Sequence, residues 1–314
     1  MTDNSYKFYI GIDVSKTKLD IAQSSNNSLL QFTNTLEGFQ ELVKFLPAKK
    51  KTLIVLEATG GYEKFAANNL RKRGYNVAIV NAKRVRDFAK AGGRYAKTDG
   101  IDARVIMEFG KAFNPVPQHL ITQEQDERQQ NINRRAQLVK MIAMEKQHLE
   151  HAGSSAKSIN KHLCYLEKEL ERLEVLLHRQ IVEDPIMSEK LTKLNEIKGI
   201  GKIVAMNLLI HLPELGKINA RQISALAGLA PYNKDSGQSK GKREIAGGRA
   251  AVRAALYMGI LSACKFNPAI KKFYDRLIAK GKLKKVAMVA CMRKLIVIVN
   301  AMLRDNTSWD PCRF

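Results

Sequence analysis

The run Leu53-Ile54-Val55-Leu56, closed by Glu57 and then Ala-Thr-Gly-Gly, constrains this chain more than any other stretch. From Thr52 to Leu56 there is no polar alternation, which predicts a strand covered on both faces, as in the parallel part of an α/β sheet. A carboxylate ending such a strand stands at the carboxyl edge of the sheet, where α/β folds bind ligands. The flanking sequence supplies the rest of the sheet. Tyr6–Asp13 (YKFYIGID) alternates and is rich in aromatic and β-branched residues, and Lys18–Ala22 and Leu29–Thr33 are shorter strands across the polar turn Ser24–Ser28. Helical periodicity follows over Glu37–Leu46, with Phe39, Leu42, Val43 and Leu46 on one face. Tyr62–Arg73 and Ala82–Ala91 read as helices on either side of a strand at Tyr75–Val80.

The resulting order, β-β-β-α-β-α-β-α, is the element order of a ribonuclease-H-like domain. The remainder of the chain reads as helical, so the fold class is α/β plus α. Leu163, Leu166, Leu170, Leu173 and Leu177 repeat at alternating spacings of three and four, with Ile159 and Ala156 extending the stripe upstream. That pattern predicts a short coiled coil or helical hairpin, used either as an internal helix pair or as a dimerisation arm. Asp184-Pro185 ends the helix, because proline lacks the amide that the next turn needs. Farther on, Ile197-Lys198-Gly199-Ile200-Gly201-Lys202 precedes an apolar helix at Ile203–Leu212. This is a helix-hairpin-helix-like segment that offers backbone amides to a phosphate, or an ordinary tight turn. There follow a small-residue helix around Ser224–Leu229, a polar loop Pro231–Gly248, a helix Arg249–Ala263, a basic stretch Lys271–Lys285 and an apolar helix Val286–Leu303.

Charge separates these regions. The 314 residues carry a net charge of +23, divided as +8 over residues 1–121, +2 over 122–233 and +13 over 234–314. Two basic modules flanking a nearly neutral one imply a phosphate-bearing partner, with nucleic acid ahead of an anionic membrane surface. The amino-terminal residues lack a signal-peptide layout, and no unbroken run of 18 apolar residues occurs. The four cysteines, Cys164, Cys264, Cys291 and Cys312, form no C-x-x-C pair, and His148 and His151 have no companions for a zinc site. These features predict a cytoplasmic protein without a membrane partner.

Four carboxylates carry the chemistry. Asp13 closes the first strand in Gly-Ile-Asp, Glu57 closes the buried strand, and Asp99 and Asp102 share one face of a helix that starts in KTDGIDARVI. Acids at the ends of adjacent strands repel one another unless a hard divalent cation lies between them. Mg²⁺ or Mn²⁺ there suits in-line phosphoryl displacement. Taken singly, each acid also fits a structural role: Asp99 as a helix cap, Glu57 as a partner of Arg94 or Lys97. The second cluster is the glycine-rich loop around Ser236, with Lys240, Lys242, Arg243, Arg249 and Arg253 close by. Spacing alone favours a flexible phosphate-binding loop over a nucleophilic serine, and Ser239 is a rival hydroxyl. Lys282, Lys284 and Lys285 are further candidates for contact with DNA or RNA backbones.

Four blocks occur in order along most of the chain: YIGIDVSK, LEATGGYE, KTDGIDARVI and GLAPYNKDSGQSKGKREIAGGRAAVRAALYM. In them the chain resembles the DEDD transposases of the insertion-sequence-110 family, RNA-guided serine recombinases of bacterial mobile elements. Gly100 and Gly61-Tyr62-Glu63 depart from the usual pattern without removing a functional group. The resemblance implies a RuvC-like DEDD domain over 1–121, a helical coiled-coil segment over 122–185 and a transposase domain over 186–314. It implies Asp13, Glu57, Asp99 and Asp102 as catalytic Mg²⁺ ligands and Ser236 as a nucleophile that forms a phosphoserine link to DNA. Donor and target DNA, a structured non-coding guide RNA, and a dimer or tetramer with an active site shared between protomers complete the expectation. The other readings are a RuvC-like junction nuclease using activated water, and a nucleic-acid-binding structural protein.

Overall fold

The computed structural model describes residues 6–25, 28–94, 99–118, 120–233, 241 and 243–311, with the backbone alone for 99–101. The chain divides into two compact units, Met1–Thr122 and Gln123–Phe314. It is a mixed α/β protein with one five-stranded sheet and many helices.

In the first unit the strands are β1 (Phe8–Val14), β2 (Lys18–Gln23), β3 (Leu29–Thr33), β4 (Thr52–Glu57) and β5 (Asn76–Val80). Helices α1 (Leu36–Phe45), α2 (Tyr62–Lys72), α3 (Ala82–Ala91) and α4 (Asp99–Phe113) complete it. The sheet order is β3-β2-β1-β4-β5, with β1, β2 and β3 antiparallel and β4 and β5 parallel to β1. This arrangement is consistent with a ribonuclease-H-like domain. Burial on both faces is what the apolar β4 run demands, and Thr52 through Leu56 are all fully buried. On one face Ile10, Ile12, Ile54 and Leu56 pack with Phe39, Leu42, Ala66 and Leu70. On the other, Leu53, Val55 and Ala78 meet Val105, Ile106 and Phe109 of α4. The outer edge of β5 is covered by the connector that follows α4. Gln118 N–H donates to the Val77 carbonyl at 3.1 Å, and its side chain accepts from Ile79 N–H at 2.7 Å and donates to the Ile79 carbonyl at 3.2 Å. Arg71, largely buried, donates to the same Gln118 oxygen at 2.9 Å.

The second unit comprises α5 (Gln123–Leu149), α6 (Ala156–Val182), α7 (Pro185–Asn195), α8 (Lys202–His211), α9 (Ala220–Leu226), the strand pair β6 (Pro231–Tyr232) and β7 (Glu244–Ile245), α10 (Ala250–Phe266), α11 (Pro268–Ala279) and α12 (Lys284–Arg304). The leucine stripe is used internally: Leu163 and Leu166 pack on Leu138 and Ile142 of α5, while Leu177 belongs to the larger core. Asp184-Pro185 breaks the helix as expected and also starts the next one. Asp184 accepts from Met187 N–H at 3.1 Å, and Pro185 takes the first-turn position that needs no amide donor. The polar loop Pro231–Gly248 is less irregular than the sequence suggests, since β6 and β7 pair within it. The basic stretch Lys271–Lys285 is largely the helix α11. The hairpin between α7 and α8 seats Gly199, at φ 103°, against α10, where a Cβ would come within 2.5 Å of that of Ala263. By length and composition α12 could cross a membrane, but Cys291, Leu295, Ile296 and Val299 are buried in the core of this unit.

Candidate functional site

Backbone register, more than side-chain contact, gathers the acids of the first unit. A tight turn joins β1 to β2, with Ser15 N–H donating to the Lys18 carbonyl at 2.9 Å and Lys18 N–H donating to Ser15 Oγ at 3.0 Å. It sets Asp13 directly opposite Asp20. In the parallel ladder Ile12 is the partner of Leu56, so the next residues, Glu57 at the end of β4 and Asp13 one residue before the end of β1, lie side by side at the carboxyl end of the sheet. Neighbouring strands lie roughly 5 Å apart. Strand alternation puts Gly11 and Asp13, and likewise Val55 and Glu57, on the face covered by α4.

Helix α4 runs antiparallel to β1. At its start, Ala103 and Met107 press on Gly11, where a Cβ would collide with the Ala103 carbonyl oxygen and the Met107 amide. At its end, Gly110 lies against Val55 and Tyr9. The first turn of α4 therefore points to the carboxyl end of β1, and it carries Asp102 one residue before Ala103. Asp99 opens the helix, and its side chain lies outside the described residues. Asp13, Glu57 and Asp102 are each half-buried.

A set of carboxylate oxygens is the donor chemistry of a hard divalent cation, so Asp13, Glu57 and Asp102 fit such an ion in kind. Among the described residues, no three His, Cys, Asp or Glu side chains stand close enough to hold an ion together. The fold supplies placement, not a ready-made cage. Arg94, one conceivable structural partner for Glu57, pairs instead with Glu108 at 2.8 Å. Sequence reading passed over Asp20, whose carboxylate accepts from Gln31 Nε2 at 2.8 Å. Only the turn length between β1 and β2, which fixes their register, could have signalled it.

In the second unit Ser236, Ser239, Lys240 and Lys242 lie outside the described residues. The base of their loop is described. β6 and β7 pair Pro231 with Ile245 and Tyr232 with Glu244, forming a two-rung stem. Below it, Gly228 and Gly248 meet backbone to backbone at φ 65° and φ 63°, and a Cβ on Gly248 would collide with Gly228. Both glycines are thus required by close approach and by left-handed geometry. Arg249 N–H donates to the Leu226 carbonyl at 2.8 Å. Its guanidinium grips Glu214 through two hydrogen bonds of 2.6 Å and reaches the His211 carbonyl at 2.7 Å. Arg253 donates to the Gly247 carbonyl. Burial works to raise the Glu214 pKa, but the Arg249 hydrogen bonds and charge outweigh it and the carboxyl titrates below its usual range. Burial, and then the Arg249 charge, lower the pKa of His211. Arg249 is thus committed to Glu214, whereas Arg243, Lys282, Lys284 and Lys285 are exposed.

Two family models match in chain order. A DEDD transposase model of IS110 type covers residues 10–152, the span holding all four acids, and the Transposase IS116/IS110/IS902 family covers 191–275, the span holding the serine loop. The chain is similar to the pilin gene-inverting proteins of Moraxella bovis and Moraxella lacunata, each 29% identical over 97% of this chain and 98% of the relative. It also resembles the insertion element IS110 uncharacterized 43.6 kDa protein of Streptomyces coelicolor, 31% identical over 37% of this chain and 29% of the relative. The DEDD designation of the first model carries a divalent-metal requirement with it. With two models of this family matched in order over residues 10–152 and 191–275, the chain belongs to the IS110 transposase family and is a DNA transposase/recombinase.

Proposed function

We propose that this enzyme exchanges strands at defined DNA sites through a covalent serine–DNA intermediate, using Mg²⁺ or Mn²⁺. The observation that carries the metal half is the placement of Asp13, Glu57 and the start of α4 at one sheet end and on one face. Asp13, Glu57, Asp99 and Asp102 would hold the ion. When bound, a divalent cation supplies charge that stabilises the phosphoryl oxygens of the scissile group. Ser236 Oγ displaces a deoxyribose oxygen, which takes up a proton, and the phosphodiester energy is kept in a serine–phosphorus bond open to attack by another DNA end. Arg243 and Arg253, with Lys240 and Lys242, meet the DNA backbone, and Arg249 holds the base of the loop through Glu214. DNA inversion, the activity in the name of the Moraxella relatives, is supported for this chain by similarity along nearly its whole length.

Sequence choice falls to an element-encoded RNA pairing with donor and target, its phosphates met by Lys282, Lys284 and Lys285. A dimer or tetramer brings the serine loop of one protomer to the acids of another. The test is to react the chain with its element termini, target DNA and flanking transcript, then denature. A protein–DNA adduct forms with the wild type and is lost in Ser236→Ala, while Asp13→Asn lowers cleavage by about 10³-fold or more. Cleavage without an adduct turns the reading to the water-activated nuclease, and an adduct that survives Ser236→Ala moves the nucleophile to Ser239.

A further inference from the structure

We infer that Glu63 is a built-in anion that fixes the turn after Glu57, making it a positioning residue for the metal-binding carboxylates. The inference rests on the metal reading above. Glu63 is the second residue of α2 and only 7% exposed. One carboxylate oxygen, Oε2, accepts from Thr59 N–H at 3.1 Å, Thr59 Oγ at 3.3 Å and Gly61 N–H at 2.7 Å. Gly60 and Gly61, at φ 81° and φ 126°, supply the left-handed backbone that turns those amides inward.

A strand, a glycine turn with converging amides and a helix start are together how proteins cradle a phosphate. Here the cradle already contains a carboxylate of the chain itself, favoured further by the positive end of the α2 dipole. A phosphate entering it would have to expel a buried charge, so the turn serves geometry and not substrate binding. That geometry bears on Glu57 through the residues that follow it. Ahead of the turn, Ala58 N–H donates to the Val80 carbonyl at 3.0 Å and carries the ladder one residue beyond Glu57. Behind it, Glu63 ties down Thr59 and Gly61. Removing Glu63 leaves three donors without their acceptor and frees the backbone next to Glu57.

The experiment titrates the full chain with Mn²⁺ alone, followed by electron paramagnetic resonance, alongside thermal melts. Glu63→Ala should weaken Mn²⁺ binding about tenfold, the usual cost of losing a supporting residue around a metal site. Added formate should restore both affinity and melting temperature in that variant by filling the emptied cradle, and leave the wild type unmoved. Glu63→Gln, which keeps an acceptor oxygen, should bind within about threefold of wild type. Unchanged Mn²⁺ affinity in Glu63→Ala overturns the inference. So does a loss that formate does not repair and that Glu63→Gln shares, since it marks general damage to the fold. Glu57→Gln serves as the separate control. If it leaves Mn²⁺ binding intact the metal reading fails, whereas formate-dependent melting of Glu63→Ala would still report the cradle.

Discussion

At the carboxyl end of the N-terminal sheet, ladder hydrogen bonds decide where Asp13 and Glu57 lie. In the C-terminal unit, the segment carrying Ser236 is anchored through a strand pair of two residues each, a crossing of two glycines and the Arg249–Glu214 pair. The first region inherits its geometry from regular secondary structure and tolerates little backbone change. The second depends on a few close approaches at the foot of a loop. Under the proposed mechanism the division is sensible: ligands for a cation must be placed before it arrives, while a nucleophile must meet a strand of DNA wherever that strand is presented.

The comparison can be broken most directly at its glycines. Gly11→Ala drives a methyl into the backbone of α4 and should cost the N-terminal unit about 3 kcal/mol or more, with Mn²⁺ affinity falling in step. Gly248→Ala combines a left-handed φ with collision against Gly228 and should cost about 1–3 kcal/mol. It should abolish adduct formation while leaving Mn²⁺ binding intact. Denaturant melts and metal titrations on both variants decide the matter, and loss of metal binding in Gly248→Ala would show that the two regions are not independent. A smaller effect is expected from changing Lys282, Lys284 and Lys285 together to glutamine. The slope of log affinity for the guide RNA against log salt should flatten by about 2 to 3, close to one for each phosphate that is no longer neutralised. An unchanged slope removes these lysines from the interface.

The smallest expected effect concerns pH. His211 has its pKa held below the free value of 6.5 by burial and by Arg249, and its ring Nδ1 lies 3.1 Å from Gln129 Nε2. The unfolded chain takes up a proton near 6.5 that the folded chain refuses, so stability from this residue is complete above that pH and declines below it. Melts at about pH 7.5 and about pH 5.5 should differ more for wild type than for His211→Gln. Equal differences would place the ring outside the stability of the loop base.

Much of the fold was legible because its elements are long enough to show a period. The β4 run and the α1 face could be read residue by residue, and the structure moves the ends of β1 and β5 by one or two residues. The stem β6–β7 was not legible, since two residues a side show no alternation. Helix α5 was not singled out either: its buried positions Arg128, Ile132, Leu138 and Ile142 are widely spaced along a polar sequence. At the acid site, residue types and strand ends were enough to nominate Asp13 and Glu57. The facing of Asp20 required a register, and the work of Glu63 required knowing that its carboxylate folds back on the preceding turn. Sequence treats such a residue as one more acid in a first helical turn.

The connector after α4 has a consequence for anyone dissecting this polypeptide. By lending both backbone and side chain to β5, Gln118 behaves as a sixth, one-residue strand, and it seals the margin of the sheet that would otherwise invite a stranger to zip on. A fragment cut just behind Phe113 would keep every regular element of the first unit and still expose that margin. Residues 114–118 should therefore travel with the sheet, or the excised piece will clump for reasons unrelated to its chemistry.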